Sequence, residues 1–285
     1  MVLGAVSVAL VLAGCSSTSA PTGRLRIVAS IFPLGYIARA VGGADADVTV
    51  LTASRVEPHD QELTAQKVRA IESADAIVYV RGLAPAVDAA VRAAVDSRAR
   101  TAIDALSVIG THRRSGDPHM WLNPQLLGMV ASDLATQLAR IHPADATTYR
   151  ANAVAVRSNL AALDAEFRNA TRSCQSQLLI TTHTAFGYLA GRYGFRQVSI
   201  LGANPEAEPT PATVVRIVKL INENHISTIY AESLGTSKVA TTVAREAKVK
   251  VATLDTLESP PTASDYTTLM RQNQATIVAG QGCAK

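Results

Sequence analysis

Aromatic residues are scarce in this 285-residue chain, at 4% with a single Trp. That scarcity argues against a stacking surface for bases or sugars. Charge is sparse as well, at 18%, and the formal net charge of +4 comes from scattered Lys and Arg, with only Arg113-Arg114 adjacent among a few near neighbours. A basic stripe for nucleic acid is therefore absent. There is no His-Glu-x-x-His motif and no metal-carboxylate cluster of the kind that marks a metallohydrolase. Cysteine is limited to three residues. What these absences leave room for is a small polar ligand held by a few well-placed side chains.

The N-terminus carries the most legible local signal. Val2 to Ala13 is almost free of polar groups and ends in Leu12-Ala13-Gly14-Cys15, a lipobox. The run is short of the ~20 apolar residues that a membrane span requires and is followed by small residues, which fits a cleaved export signal. Residues 1–14 read as a lipoprotein signal peptide, Cys15 as the lipidated (palmitate-bearing) residue and 15–23 as a Ser/Thr/Pro tether. The mature chain is thus expected outside the cytoplasm, lipid-anchored to the outer face of the cell membrane. In such an oxidising compartment the two remaining cysteines, Cys174 and Cys283, are expected to pair.

From Arg24 onward, short β-branched runs alternate with Ala-rich amphipathic stretches, the pattern of βα units around parallel sheets, so the fold class is α/β. Strands are expected at Arg26–Ser30, Val48–Thr52, Ala76–Val80 and Thr101–Ile103, with helices at Leu34–Val41, Gln61–Ser73 and Ala84–Val95. The second half repeats the design. Its strands fall at Leu178–Thr182, Val198–Leu201, Ser227–Ala231 and Lys250–Leu254, and its helices at Ala185–Tyr193, Pro211–Asn224, Ser237–Ala247 and Ser264–Val278. Residues 24–143 form an N-terminal lobe and 174–285 a C-terminal lobe. Between them, 144–173 has no strand signal and places Val154, Leu160, Leu163 and Phe167 at helical spacing. A helix of about 26 residues spans about 39 Å, enough to run the height of both lobes as a rigid linker.

Six histidines occur, and three sit just beyond expected strands or at loop-to-helix junctions, where an α/β sheet builds its binding crevice. These are His59 in Glu57-Pro58-His59-Asp60, His119 in Asp117-Pro118-His119-Met120-Trp121, and His183 directly after a strand. Being about sixty residues apart, they converge only in the folded chain. A tetrahedral Zn2+ site wants a fourth N, S or O donor. Asp255, at the end of the strand Lys250–Leu254, is the first choice. Glu232, ending Ser227–Ala231 in the same way, is the alternative ligand or a residue that orients a histidine from behind. His142 and His225 read as solvated helix-end residues, and His112 lies beside Arg113 and Arg114, a poor place for a cation. Two functions remain open on this reading: metal capture by a binding protein, and a zinc-dependent hydrolase in which Asp255 or Glu232 serves as general base.

The sequence resembles the metal-specific solute-binding lipoproteins of bacterial ABC transporters, the zinc and manganese group. The carriers are Glu57-Pro58-His59-Asp60-Gln61-Glu62-Leu63-Thr64, Ala74-Asp75-Ala76-Ile77-Val78-Tyr79, Asp117-Pro118-His119-Met120-Trp121-Leu122-Asn123-Pro124, Thr182-His183-Thr184-Ala185-Phe186-Gly187-Tyr188-Leu189, Glu208-Pro209-Thr210-Pro211 and Leu254-Asp255-Thr256-Leu257. The resemblance implies two pseudo-symmetric α/β lobes joined by one rigid helix, with metal between them and His59, His119, His183 and Asp255 as ligands. It also implies a non-enzymatic monomer that delivers its ion to an ABC permease. Manganese members carry Glu at the third ligand position, so His183 favours Zn2+ over Mn2+, in keeping with the preference of imidazole for zinc. A manganese- or iron-binding homologue of the same type is the alternative.

Overall fold

In the computed structural model, residues 24–98, 100–202, 207–234 and 237–284 are described. The expected signal peptide 1–14, Cys15 and the tether lie outside them. The first half runs β1 (Leu25–Ala29), α1 (Phe32–Gly42), β2 (Ala46–Val50), α2 (Ala65–Ser73), β3 (Ala76–Tyr79), α3 (Pro85–Arg98), β4 (Thr101–Asp104), α4 (Ala105–Ile109) and α5 (Pro124–Ile141). A linker helix follows, α6 (Ala146–Ala170). The second half runs β5 (Leu178–Thr181), α7 (Gly187–Tyr193), β6 (Arg196–Ser199), α8 (Pro211–Glu223), β7 (Thr228–Glu232), α9 (Ser237–Ala247), β8 (Lys250–Leu254) and α10 (Tyr266–Gly280).

Both sheets are four-stranded and wholly parallel, ordered β2-β1-β3-β4 and β6-β5-β7-β8. The matching order is the pseudo-symmetry expected of two lobes. Central strands β3 (Ala-Ile-Val-Tyr) and β5 (Leu-Leu-Ile-Thr) are buried at every position, as parallel strands covered on both faces must be. Most elements fall within a residue or two of expectation. Strand β6 starts two residues earlier, at Arg196.

Two helices have no counterpart among the expected elements, the five-residue α4 and the long α5. Helix α5 covers 18 residues and starts with the Asn123 side chain accepting from the Gln125 N–H, with Pro124 in the first turn. Leu127, Val130, Leu134 and Leu138 recur at helical spacing and are fully buried, so the signal was present in the chain.

Helix α6, 25 residues long, lies along α5 and against α1. Its buried face is Tyr149, Ala153, Val156, Leu160, Leu163 and Phe167. It is fastened at both ends. Asn152 donates to the Val41 carbonyl at 3.0 Å, while at the other end buried Asp164 accepts two hydrogen bonds from Arg192 of α7, at 2.7 and 2.5 Å. Phe167 stacks on Tyr193 with ring centroids 3.9 Å apart. The Cys174–Cys283 disulfide then ties the chain leaving α6 to the segment after α10. A single apolar cluster contains residues of both lobes, including Leu134, Leu160, Phe186, Tyr266 and Met270. A continuous packed core resists hinge opening, because interior packing is dense and does not deform smoothly.

Candidate metal centre

His59 follows β2 in a loop pinned to its own sheet. The Gln61 amide donates to the Leu51 carbonyl and the Thr52 hydroxyl to the Ser30 carbonyl. The His59 N–H in turn donates to the Glu57 carboxylate at 3.3 Å. His119 sits beyond a turn at Gly116, whose φ of +72° is a conformation that suits glycine. One oxygen of Asp117 accepts both the backbone N–H and the Nδ1–H of His119, each at 2.9 Å. Two residues on, the Trp121 indole donates to the Thr256 carbonyl at 2.7 Å and the Tyr266 hydroxyl donates to the Trp121 carbonyl at 2.6 Å. The His119 loop is thereby bolted to the C-terminal lobe.

His183 stands two residues past β5. Glu232, ending the neighbouring strand β7, accepts from the His183 N–H at 3.0 Å, from the Thr182 hydroxyl at 2.7 Å and from His183 Nδ1–H at 2.5 Å. A carboxylate at Nδ1 selects the tautomer whose proton is on Nδ1, leaving the Nε2 lone pair free. Asp117 does this for His119 and Glu232 for His183. The three imidazoles close on one another with ring centroids 5.4 to 6.0 Å apart, and one nitrogen from each lies within 4.8 Å of the others.

The structure brings His59, His119 and His183 together and leaves Asp255 out. Asp255 accepts from the Leu257 N–H at 2.7 Å, while Asn273 clamps its backbone, accepting from its N–H at 2.8 Å and donating to its carbonyl at 2.7 Å. The chain then reverses through Leu257, at φ +59°. That turn swings Glu258 inward. Its Oε1 lies 3.2 Å from His119 Nε2 and 3.8 Å from His59 Nε2. Its other oxygen accepts from the Thr256 hydroxyl at 2.7 Å, and its backbone carbonyl from the Phe32 N–H. Glu258 lies four residues beyond the end of β8, so strand-end position points to Asp255 instead. The available signal was that an Asp readily accepts from the N–H two residues on and so builds turns. Glu232 takes the orienting position that the sequence left open. His112 and His225 are exposed and His142 pairs with Asp145, so the other histidines stay away from the cluster.

Four buried atoms in this cluster have no hydrogen-bond partner: Nε2 of His59, His119 and His183, and Oε1 of Glu258. Orphaned buried polar atoms are costly and rare, and here they converge. Electrostatics fit the same picture. Burial opposes charge on His119, yet the bond to Asp117 and the Glu258 carboxylate outweigh it and raise its pKa to about 9. Burial lowers His59, helped by the two other imidazoles. Burial, then the Glu258 charge, pushes Glu57 up to about 8. Burial also favours protonation of Glu232, but its bond to His183 prevails and holds it below the usual carboxylate range.

A family model described as zinc-uptake complex component A, periplasmic (ZnuA) matches residues 27–280. The chain belongs to this family. Among its relatives, the zinc-binding protein AdcA of Streptococcus pyogenes is 30% identical over 90% of this chain and 56% of its own length. The ZnuA-family chain therefore spans a little over half the length of the streptococcal AdcA relatives it matches. The high-affinity zinc uptake system protein ZnuA of Bacillus subtilis is also 30% identical, with 88% of this chain and 85% of that protein aligned. Among solved structures, the Zn(II)-bound ZnuA-like domain of Streptococcus pneumoniae AdcA superposes with a TM-score of 0.78 at 29% identity, covering 91% of this chain and 99% of that one.

Proposed function

We propose that this protein captures Zn2+ outside the cytoplasm and delivers it to the permease of an ABC transporter, held at the membrane by a lipid on Cys15. The observation that carries the reading is the convergence of four unpartnered buried donors, three imidazole nitrogens and one carboxylate oxygen. Four such donors make a tetrahedral zinc sphere. His59, His119, His183 and Glu258 are the ligands. Asp117 and Glu232 hold the rings in register, and Asp255 shapes the turn that presents Glu258. Four protein donors fill the sphere and leave no open position for an activated water, which supports a carrier over a hydrolase. Three nitrogen donors support zinc over manganese, which prefers oxygen.

The test is zinc binding by the purified full chain, measured by competition with a chromophoric chelator. One Zn2+ should bind per chain, and His59→Ala, His119→Ala and His183→Ala should each weaken it by roughly 10²-fold or more. Any two of these variants retaining the parent affinity would remove the site from consideration.

A further inference from the structure

The donors of the cluster are not equally buried. Glu57 and His59 side chains are each 19% exposed, whereas His119 is 3%, His183 1% and Glu258 0% exposed. Solvent thus reaches the centre from the Glu57–His59 side alone among these groups. On that side a second set of three donors converges. Glu57, His59 and Glu258 each place one ligand atom within 4.8 Å of the other two, with His59 Nε2 4.0 Å from Glu57 Oε1 and 3.8 Å from Glu258 Oε1. Glu57 is not one of the four donors assigned to the centre, His59, His119, His183 and Glu258. The position of Glu57 is fixed by its acceptance of the His59 N–H across Pro58, whose ring restricts the backbone.

We propose that Glu57, His59 and Glu258 form an outer three-donor station that receives Zn2+ from solvent and passes it to the buried centre. The inference rests on the reading of that centre as the zinc site. An ion stripped of water in one step pays a large desolvation penalty. An outer station divides that step. The hydrated ion exchanges some of its waters for Glu57, His59 and Glu258, then gives up Glu57 for His119 and His183 while keeping the two shared donors. No bond other than coordination changes, and no second ion fits, because two donors belong to both sets.

A group that binds on the path but not in the final state alters both rates alike and leaves the equilibrium nearly unchanged. Trp121 is the sole Trp of the chain, and its ring centroid lies 5.2 Å from that of His119, so its fluorescence reports arrival of Zn2+ at the centre. In stopped-flow mixing of the full chain with Zn2+, Glu57→Gln should slow association about tenfold. Release into excess chelator should slow by the same factor, with Kd held within about threefold. Glu57→Asp keeps the carboxylate on a shorter arm and should fall between the two. Association at the parent rate in both variants overturns the station. So does weaker equilibrium affinity with faster release, which would make Glu57 a ligand of the resting centre. If Glu57→Gln fails to fold, Glu57→Asp decides the matter by the same two rates. An unaltered Kd in His119→Ala sinks the centre itself, so the two failures are distinguishable.

Discussion

The sharpest division between neighbouring carboxylates is the contrast of Glu258 with Asp255. Structural zinc in small domains is worth about 10–16 kcal/mol, so each of four donors carries about 2.5–4 kcal/mol, or roughly 10²- to 10³-fold in Kd. Glu258 is completely buried, and its Oε1 faces His119 and His59 without a hydrogen bond. Glu258→Gln should therefore cost roughly 10²-fold, an amide oxygen being a poorer and uncharged donor. Part of that loss is masked at neutral pH. The Glu258 carboxylate helps raise His119 to about 9, so removing it also makes His119 easier to deprotonate. The gap between parent and variant should widen as the pH approaches 9.

Asp255→Asn keeps an oxygen that can accept the Leu257 N–H, so the turn survives and Kd should stay within about threefold. Asp255→Ala loses that acceptor and loosens the turn, with an expected cost of about tenfold through displacement of Glu258. The assay is competition against a chromophoric chelator at pH 7 and pH 9, with thermal unfolding as a check on folding. The reasoning fails if Asp255→Asn costs orders of magnitude while Glu258→Gln costs little.

Other expectations follow from the same geometry. Because His119 carries a proton below about 9, zinc capture at pH 7 should release close to one proton from it, seen as a calorimetric heat that varies with buffer ionisation enthalpy. The same shift makes the metal-free protein's contribution from His119 complete below its unfolded pKa near 6.5 and lost as the pH rises through 9; a flat stability over that window would contradict it. A Cβ at Gly187 would lie 2.4 Å from Asp117 Oδ2 and 3.1 Å from Arg114 Nε. Gly187→Ala should thus displace Asp117 from His119 and weaken zinc binding by about 10- to 100-fold with little loss of fold. Asp164 is buried beneath the partly exposed Arg192, and Asp164→Ala should lower stability by about 1–2 kcal/mol in urea unfolding through loss of two charge-assisted hydrogen bonds.

The parts of this molecule that were legible in sequence share a physical cause. The central strands β1, β3, β5 and β7 announce themselves as short apolar runs because both faces of a parallel sheet are covered there, whereas the edge strands β2, β6 and β8 are partly exposed. His59, His119 and His183 could be grouped because ligand-bearing loops leave the carboxyl ends of such strands. Helix α5 was equally legible, with its Asn123 cap, Pro124 and apolar residues at helical spacing. Glu258 is a different case. Its place depends on Leu257 adopting a left-handed backbone, on Asp255 accepting the Leu257 N–H and on Asn273, eighteen residues on, clamping Asp255. None of these is a local propensity of Leu or Glu, and a leucine at positive φ runs against its intrinsic preference.

The same contrast bears on how such a centre is built. The orienting carboxylates Asp117 and Glu232 each take a histidine's backbone N–H together with its Nδ1–H, so one acid fixes both where the ring starts and how it turns. Glu258 has no such dedicated partner on Oε1; it is aimed by the turn at Leu257 and by the Phe32 N–H on its carbonyl, which reaches it from the opposite lobe. His119 and His183 are therefore each held within their own lobe, and bringing them together with Glu258 depends on the two lobes staying docked. Docking is enforced by the Trp121–Thr256 and Tyr266–Trp121 bonds and by the clamped linker α6. A relative shift of the lobes would part His59 and His119 from His183 and Glu258, splitting the four donors into two pairs.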